Sequence, residues 1–253
     1  MRALEGMSVL ITGGGSGIGE GAAKHFVNKG ATVTITGRRE EPLKQVVKEI
    51  GGNITYIAGD VTNNEDRIRM VEAAVENGKG LDVLISNAGN IYRCDVEDYD
   101  EEQLLTLFHS NVVGGMMLLK ESIAHLKKSE GCVLFVGSVH TQRAFPNASP
   151  YAATKGALET LTGVLAAELG KYNVRVGCVR PGGVLTEINV RAGLSTADEA
   201  KERLEGMGNM HALGRIGTVE EVAEAFAYLA TAEWATGNVL TIDGGLGLGV
   251  TQE

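Results

Sequence analysis

The 253 residues carry 23 lysines and arginines against 32 aspartates and glutamates, a formal net charge of −9. That balance argues against nucleic acid or an anionic membrane surface as the main partner. Apolar residues make up 43 % and charged residues 22 %, an ordinary mixture for a globular protein, and no run approaches the roughly 18 apolar residues of a membrane span.

Short β-branched runs alternate with longer helical stretches along the whole chain. Strands are expected at 8–12, 32–36, 54–58, 83–86, 132–136, 175–179 and 239–242, and helices at 18–29, 42–50, 65–77, 101–128, 151–170 and 219–229. The strand runs are nearly continuous in apolar residues, which indicates a parallel sheet buried on both faces. The fold class is therefore α/β: a doubly wound parallel sheet of about seven strands, helices on both faces, one domain over residues 1–253. The stretch 185–213 is polar, glycine-interrupted and weakly periodic, and reads as a mobile insertion that covers a substrate. "MRALEGMSVLITGGGSG" has too short an apolar run for a signal peptide, and the expected location is the cytoplasm. Cys132 and Cys178 lie inside apolar runs and, with Cys94, have no metal-type spacing, so they read as core residues in a reducing compartment.

"VLITGGGSGIGEG" places a glycine turn between the first strand and the first helix, the context in which such a turn cradles a dinucleotide. G-x-G-x-x-A would fit Gly17, Gly19 and Ala22, but it leaves a long gap after the strand. The register Gly13, Gly17, Gly19 starts directly after it. Gly13 then makes the turn, Gly17 lets the backbone approach a pyrophosphate, and Gly19 packs the helix on the sheet; Ser16 adds a hydroxyl and Ile18 opens the helix, whose free N–H groups face the phosphates. The second strand ends in "TGRREE", with Gly37 where a ribose-binding carboxylate is expected and Arg38 and Arg39 next to it. Two arginines and no acid favour NADP(H), whose 2′-phosphate suits a guanidinium, with NAD(H) possible. At "SPYAATKG", Tyr151 and Lys155 are spaced i and i+4 among small residues, so both can face one object on a helix.

These residues and several others resemble the classical short-chain dehydrogenase/reductase family, over essentially the whole chain. "TGGGSGIG" at 12–19 is similar to its cofactor turn, "GDVT" at 59–62 to its third-strand segment, and "SNAG" at 86–89 to its fourth-strand N-N-A-G, with Ser86 for the first Asn. Ser138 stands thirteen residues before the Y-x-x-x-K of Tyr151 and Lys155, and "RPGGVLT" at 180–186 and "IDGG" at 242–245 follow in the family's order. Gly137 replaces a serine common before the catalytic one, and Thr154 replaces a serine common before the lysine.

The resemblance implies that Asp60 and Val61 hold the adenine, that Asn87, Ala88 and Gly89 line the cofactor, and that Pro181, Gly182, Val184 and Thr186 hold the nicotinamide carboxamide. It further implies four catalytic residues. Tyr151 is the general acid/base on a substrate oxygen, and Lys155 tunes it and binds the nicotinamide ribose. Ser138 holds the same oxygen, and Asn111 holds a water that links Lys155 to solvent. A helix-interior Asn111 bonded to a nearby carbonyl is the structural alternative, and "VVGG" after it strains a regular helix. The implied activity is hydride transfer between the cofactor and a small-molecule secondary alcohol or ketone, such as a hydroxysteroid, 3-oxoacyl thioester, polyol or small ketone. The alternative is a non-catalytic NADP(H) sensor or scaffold on the same fold. Candidate substrate residues are Arg93, His140, Gln142, Phe145 and Met207. Methionine suits an apolar wall, whereas Arg93, His140 and Arg143 would suit an acidic or polyhydroxylated substrate. The five histidines have no ligand spacing, no metal is expected, and a homo-oligomer (tetramer or dimer) is implied.

Overall fold

The computed structural model describes residues 1–194 and 196–249, with side chains at all of these but Asn189, Arg191 and Arg203. In chain order it runs β1 (Ser8–Thr12), α1 (Gly17–Asn28), β2 (Thr32–Gly37), α2 (Glu40–Ile50), β3 (Ile54–Ala58), α3 (Asn64–Gly78), β4 (Val83–Ser86), α4 (Glu101–Phe108), α5 (Gly114–Ser129), β5 (Cys132–Val136), α6 (Ser149–Leu169), β6 (Arg175–Pro181), α7 (Ile188–Arg191), α8 (Ala197–Gly206), α9 (Val219–Thr231) and β7 (Asn238–Ile242). All seven strands pair in parallel, in the order β3-β2-β1-β4-β5-β6-β7.

Side-chain alternation divides the core into two layers. Val9 and Ile11 of β1, with Leu134 of β5, pack under Phe26 of α1, Leu43 of α2 and Phe226 of α9. Leu10, Leu84, Val133 and Phe135 point the other way, against Met70 of α3, Leu118 of α5 and Leu158 of α6. Several helices begin where the sequence offers a cap or a first-turn proline. The Asn63 side chain accepts from the Asp66 N–H and Asp100 from that of Gln103, Thr218 and Glu221 form a reciprocal capping box, and Pro150 occupies the first turn of α6.

The expected single helix over 101–128 is a correction: α4 and α5 are separated by a π-turn at His109–Val113. The insertion has a packing cause. Gly114 and Gly115 are pressed against Val61 and Ser86, where added Cβ atoms would lie 2.9 Å from Val61 Cγ2 and 2.5 Å from Ser86 Oγ. A π-turn absorbs one extra residue and turns Asn111 inward. Cys132 and Cys178 are buried free thiols, as expected. Among the described residues, no helix is long and apolar enough to cross a membrane.

The C-terminus of α9 is held by a strand residue. Arg175 donates to the carbonyls of Leu229 (2.5 Å) and Ala230 (2.7 Å), of the kind a helix end otherwise leaves unpaired, and to that of Ala232 (3.2 Å), which also accepts the Ala235 N–H. Arg175→Met keeps the aliphatic stem and loses these charged bonds. Its urea midpoint is expected to fall by an equivalent of about 2 kcal/mol, with an unchanged slope.

Candidate active site

Strand order reverses between β1 and β4, so the loops after these strands part and leave a crevice at the carboxyl edge of the sheet. The N–H groups of Asn87 and Ala88 both donate to Thr12 Oγ1, at 3.0 and 2.9 Å, and Asn87 Nδ2 donates back to the Thr12 carbonyl at 2.8 Å. This clasp fixes the glycine turn beside the loop after β4. Gly13 sits there at φ +66°, and Gly19 lies so close beneath it that a Cβ would be 2.3 Å from the Gly13 carbonyl oxygen. No side chain fits either position without moving the turn.

Two connected hollows open from this point. One, of about 750 Å³, is lined by Gly13, Ser16, Arg38, Arg39, Asp60, Val61, Ala88 and Gly89, together with Asn90 and His109. Asp60 is oriented by Thr62, whose N–H and hydroxyl both donate to its Oδ1, at 2.9 and 2.8 Å. Arg38 is exposed at the rim, and Arg39 reaches across to Glu187 at 3.1 Å. The Ser16 hydroxyl, at the head of α1, does not bond back to the helix. Glycines against the sheet, first-turn N–H groups and basic residues at the far end together fit a dinucleotide lying across the strand ends.

The second hollow, of about 390 Å³, is lined by Ser16, Gly17, Ile18, Asn87, Ser138, Tyr151, Lys155, Pro181, Gly182, Val184 and Thr186. The closing turn supports its floor: Asp243 accepts the N–H groups of Gly245 (2.8 Å) and Gly247 (2.7 Å) while Gly182 lies against it. Tyr151 and Lys155 are 9 % and 5 % exposed on the same face of α6. The Lys155 ammonium lies 5.5 Å from the centre of the Tyr151 ring and donates to the Val136 carbonyl at 2.8 Å. Ser138 follows β5, and its Oγ lies 3.0 Å from His140 Nδ1. The His140 ring stands edge-on to Tyr151 at 5.3 Å and packs on Phe145 at 4.7 Å.

Asn111 stands behind the cleft rather than in its wall. Its Nδ2 donates to the Asn90 carbonyl (2.9 Å) and to Thr154 Oγ1 (3.1 Å), while its Oδ1 accepts from the Asn90 N–H (2.8 Å) and shares the Ser110 hydroxyl hydrogen (3.2 Å) with the Leu107 carbonyl (3.1 Å). Two donors and two lone pairs are an amide's full capacity. The side chain is therefore committed to fixing the loop after β4 on α6, and Thr154 supplies the acceptor on α6.

Of the expected substrate residues, Arg93, His140, Phe145 and Met207 line the cleft. Gln142 does not: it is exposed, and its side chain lies against Gly247 of the C-terminal turn. Arg143 is also drawn away, donating to the carbonyls of Met210 (3.4 Å) and Leu246 (3.0 Å). The wall also includes Ile91, Val139, Ile188, Leu204, Met210 and Leu246, with the Glu187 carboxylate, held by Arg39, at its edge.

Two features had no sequence signal. His211, one of the scattered histidines, is buried, lies 2.9 Å from the Met207 carbonyl through Nδ1, and accepts the Gly183 N–H at Nε2 (3.3 Å). Glu159 and Arg180 form a two-pronged pair at 2.9 and 2.6 Å, to which Thr141 adds a hydroxyl at 2.8 Å. This pair explains Gly137, because a Cβ there would lie 2.7 Å from Glu159 Oε1. The Glu159 carboxylate raises Arg180 above its ordinary value, and burial, with that carboxylate's charge, pushes the Cys178 thiol up to about 12. Among the described residues, no group of three His, Cys, Asp or Glu side chains is placed to hold a metal.

A doubly wound sheet with a glycine turn at its switch point and a cleft running along the strand ends defines a dinucleotide-binding fold. A family model described as enoyl-(acyl carrier protein) reductase matches residues 13–247. L-fucose dehydrogenase from Bos taurus is 35 % identical over 96 % of this chain and 90 % of its own. (+)-Borneol dehydrogenase 1 from Salvia officinalis is 35 % identical over 96 % and 95 %. The crystal structure of 3-ketoacyl-(acyl-carrier-protein) reductase from Brucella melitensis, complexed with NADH, superposes with a TM-score of 0.88 at 31 % identity, covering 96 % of this chain and 99 % of that one. The chain belongs to the classical short-chain dehydrogenase/reductase family. It is an oxidoreductase served by a nicotinamide cofactor.

The Glu159–Arg180 pair joins the serine loop, α6 and β6, and leaving one half-buried charge without its partner is costly. Glu159→Ala is expected to lower stability by about 3 kcal/mol in chemical denaturation, and Glu159→Gln by less, since it keeps the bonds to Thr141 and one arm of Arg180.

Proposed function

We propose that this enzyme interconverts a secondary alcohol and a ketone, with Tyr151 as general acid/base, Ser138 holding the substrate oxygen, Lys155 assisting Tyr151, and Asn111 fixing the framework around them. What carries the reading is the convergence of Ser138, Tyr151 and Lys155 on one cleft wall, facing the loops at Asn87–Gly89 and Pro181–Thr186. The nicotinamide, when bound, supplies or accepts the hydride. Gly13, Ser16, Gly17, Ile18 and Gly19 would hold its pyrophosphate, directly or by shaping the turn. Asp60 and Val61 would hold the adenine; Pro181, Gly182, Val184 and Thr186 the carboxamide; and Asn87, Ala88 and Gly89 the floor between.

Tyr151 delivers its phenolic proton to the carbonyl oxygen in reduction and takes the hydroxyl proton in oxidation. Lys155, whose ammonium lies 5.5 Å from the centre of the Tyr151 ring, would also donate to the nicotinamide ribose. The site's low exposure keeps bulk water from competing for the substrate oxygen. Of the arginines that would have met an acidic or polyhydroxylated substrate, Arg143 is drawn away to two carbonyls, and Arg93 stays in the wall with one arm on His140. The rest of the wall is largely aliphatic, with Phe145, Met207 and Met210. A compact apolar secondary alcohol or ketone suits it best. Residues 185–213, which supply Ile188, Leu204, Met207 and Met210 to that wall, form the lid.

The cofactor is NADP(H), taken by Arg38 at its 2′-phosphate, since no carboxylate stands at position 37. The NADH bound by the Brucella reductase and the engagement of Arg39 with Glu187 favour NAD(H) as the second reading. The enzyme works as a cytoplasmic homo-oligomer, a dimer or tetramer. Exposed Leu105, Val113, Met116 and Val164, from α4 through α6, and Trp234, Leu213 and Leu248 elsewhere are apolar surfaces suited to subunit contact.

Tyr151→Phe is expected to lower kcat on the best ketone of a panel of terpenoid, aromatic and steroid ketones by about 10²-fold or more. The cofactor Kd, read by nicotinamide fluorescence, should stay within about two-fold, because the lost hydroxyl acts on the substrate oxygen. Arg38→Ala is expected to weaken NADPH roughly 10- to 100-fold and to leave NADH nearly unchanged. Equal loss for both cofactors would assign Arg38 to the pyrophosphate or to folding.

A further inference from the structure

We propose that His140 is a positioning residue that orients the Ser138 hydroxyl, with Arg93 fixing the imidazole in the one tautomer that does so; this rests on the reading above, in which Ser138 holds the substrate oxygen. Arg93 Nη2 lies 3.3 Å from His140 Nε2. A guanidinium has donors only, so Nε2 must present its lone pair, and the ring proton then sits on Nδ1. Nδ1 lies 3.0 Å from Ser138 Oγ, to which it donates.

The His140 backbone N–H donates to the same oxygen at 3.3 Å. A hydroxyl oxygen has two lone pairs, and both are now taken by one residue. Ser138 is left with a single hydrogen, and it must act as donor. Ser138 and Tyr151 line the same cleft, so that hydrogen is the one offered to a substrate oxygen. Without the imidazole donor, the hydroxyl could rotate and accept a bond instead. A donor is required with a ketone and equally with an alkoxide, so the arrangement serves both directions of reaction.

The ring is also locked in place. Phe145 packs at 4.7 Å on it, and it meets the Tyr151 ring edge-on at 5.3 Å. His140 thus touches both the proton-transferring and the oxygen-holding side chains, without itself needing to meet the substrate. Protonating Nε2 would set a donor against the guanidinium, which places the neutral ring in the working enzyme.

Substitutions at His140, Ser138 and Arg93, with one spectrum, test this. His140→Leu keeps an apolar side chain beside Phe145 but removes the donor; kcat should fall on the order of 10-fold with cofactor Kd unchanged. His140→Asn carries an amide N–H near the Nδ1 position and should recover most of that loss, whereas His140→Gln should not. Ser138→Ala should cost about 10²-fold, and adding His140→Leu to it should cost nothing further, because one residue acts through the other. Multiplying losses would overturn the proposal and make His140 a substrate contact. Independently of turnover, nitrogen-15 spectra of the cofactor-free protein at neutral pH should show His140 protonated at Nδ1 only. Arg93→Met should release it to a mixture of tautomers. A protonated Nε2 in the wild type would overturn the proposal whatever the enzyme acts on, whereas failure to find a reactive ketone would count against the reaction and not against the tautomer.

Discussion

At the carboxyl ends of β1 and β4, two backbone N–H groups converge on the Thr12 hydroxyl, and the Asn87 amide returns a bond to the Thr12 carbonyl. Parallel strands part here because the chain turns to opposite faces of the sheet after each of them. Parting strands leave unpaired backbone groups in a buried place, where each would be expensive. The clasp satisfies them with one short side chain from each strand. By doing so it sets the distance between the glycine turn and the loop after β4, and hence the width of the cleft. Gly19, tucked under the Gly13 carbonyl, then has no freedom to be anything larger.

The opposite wall depends on a second fastening. β5, α6 and β6 are consecutive, but packing alone leaves a helix free to slide along a sheet. Glu159 stops that movement by holding Arg180 of β6 and Thr141 of the serine loop together. It lies one helical turn beyond Lys155, on the helix that also carries Tyr151. The distance from serine loop to tyrosine is therefore set by an ion pair that never enters the cleft. The space for this carboxylate comes from Gly137, so the departure from the family's usual serine is the counterpart of Glu159.

What the sequence made legible follows from how local each cause is. All seven strands stood out because each is a short run rich in β-branched and apolar residues, the five inner ones buried along most of their length, and that is visible in about five consecutive residues. The glycine turn was readable because one loop between one strand and one helix contains the whole device. The π-turn at His109–Val113 was not readable, since it exists to seat Gly114 and Gly115 against Val61 and Ser86 of other elements. "VVGG" marked the place without indicating the outcome. His211 and Gly183, 28 residues apart, and Glu159 and Arg180, 21 apart, meet only through the fold. Gln142 and Arg143 misled for the same reason: proximity to Ser138 in sequence does not say which way a side chain leaves a short turn.

That last point bears on specificity. The loop from Ser138 to Phe145 sends alternate residues to different tasks: His140 and Phe145 to the cleft, Thr141 to the buried ion pair, Arg143 to the carbonyls of Met210 and Leu246. Arg143 thereby ties the loop to the segment that supplies Met207 and Met210 and to the C-terminal turn that supplies Leu246. His211 ties the same segment to Gly183, one residue from Val184. The apolar half of the wall is thus anchored at both ends to parts of the framework that border the cofactor cleft. Substitutions within 185–213 other than His211 can change the cavity's shape with little effect on the proposed proton-transfer residues, because Arg143 reaches this segment through the Met210 backbone carbonyl, which any sequence provides. Chemistry and substrate choice are in this way built from separable parts of one chain.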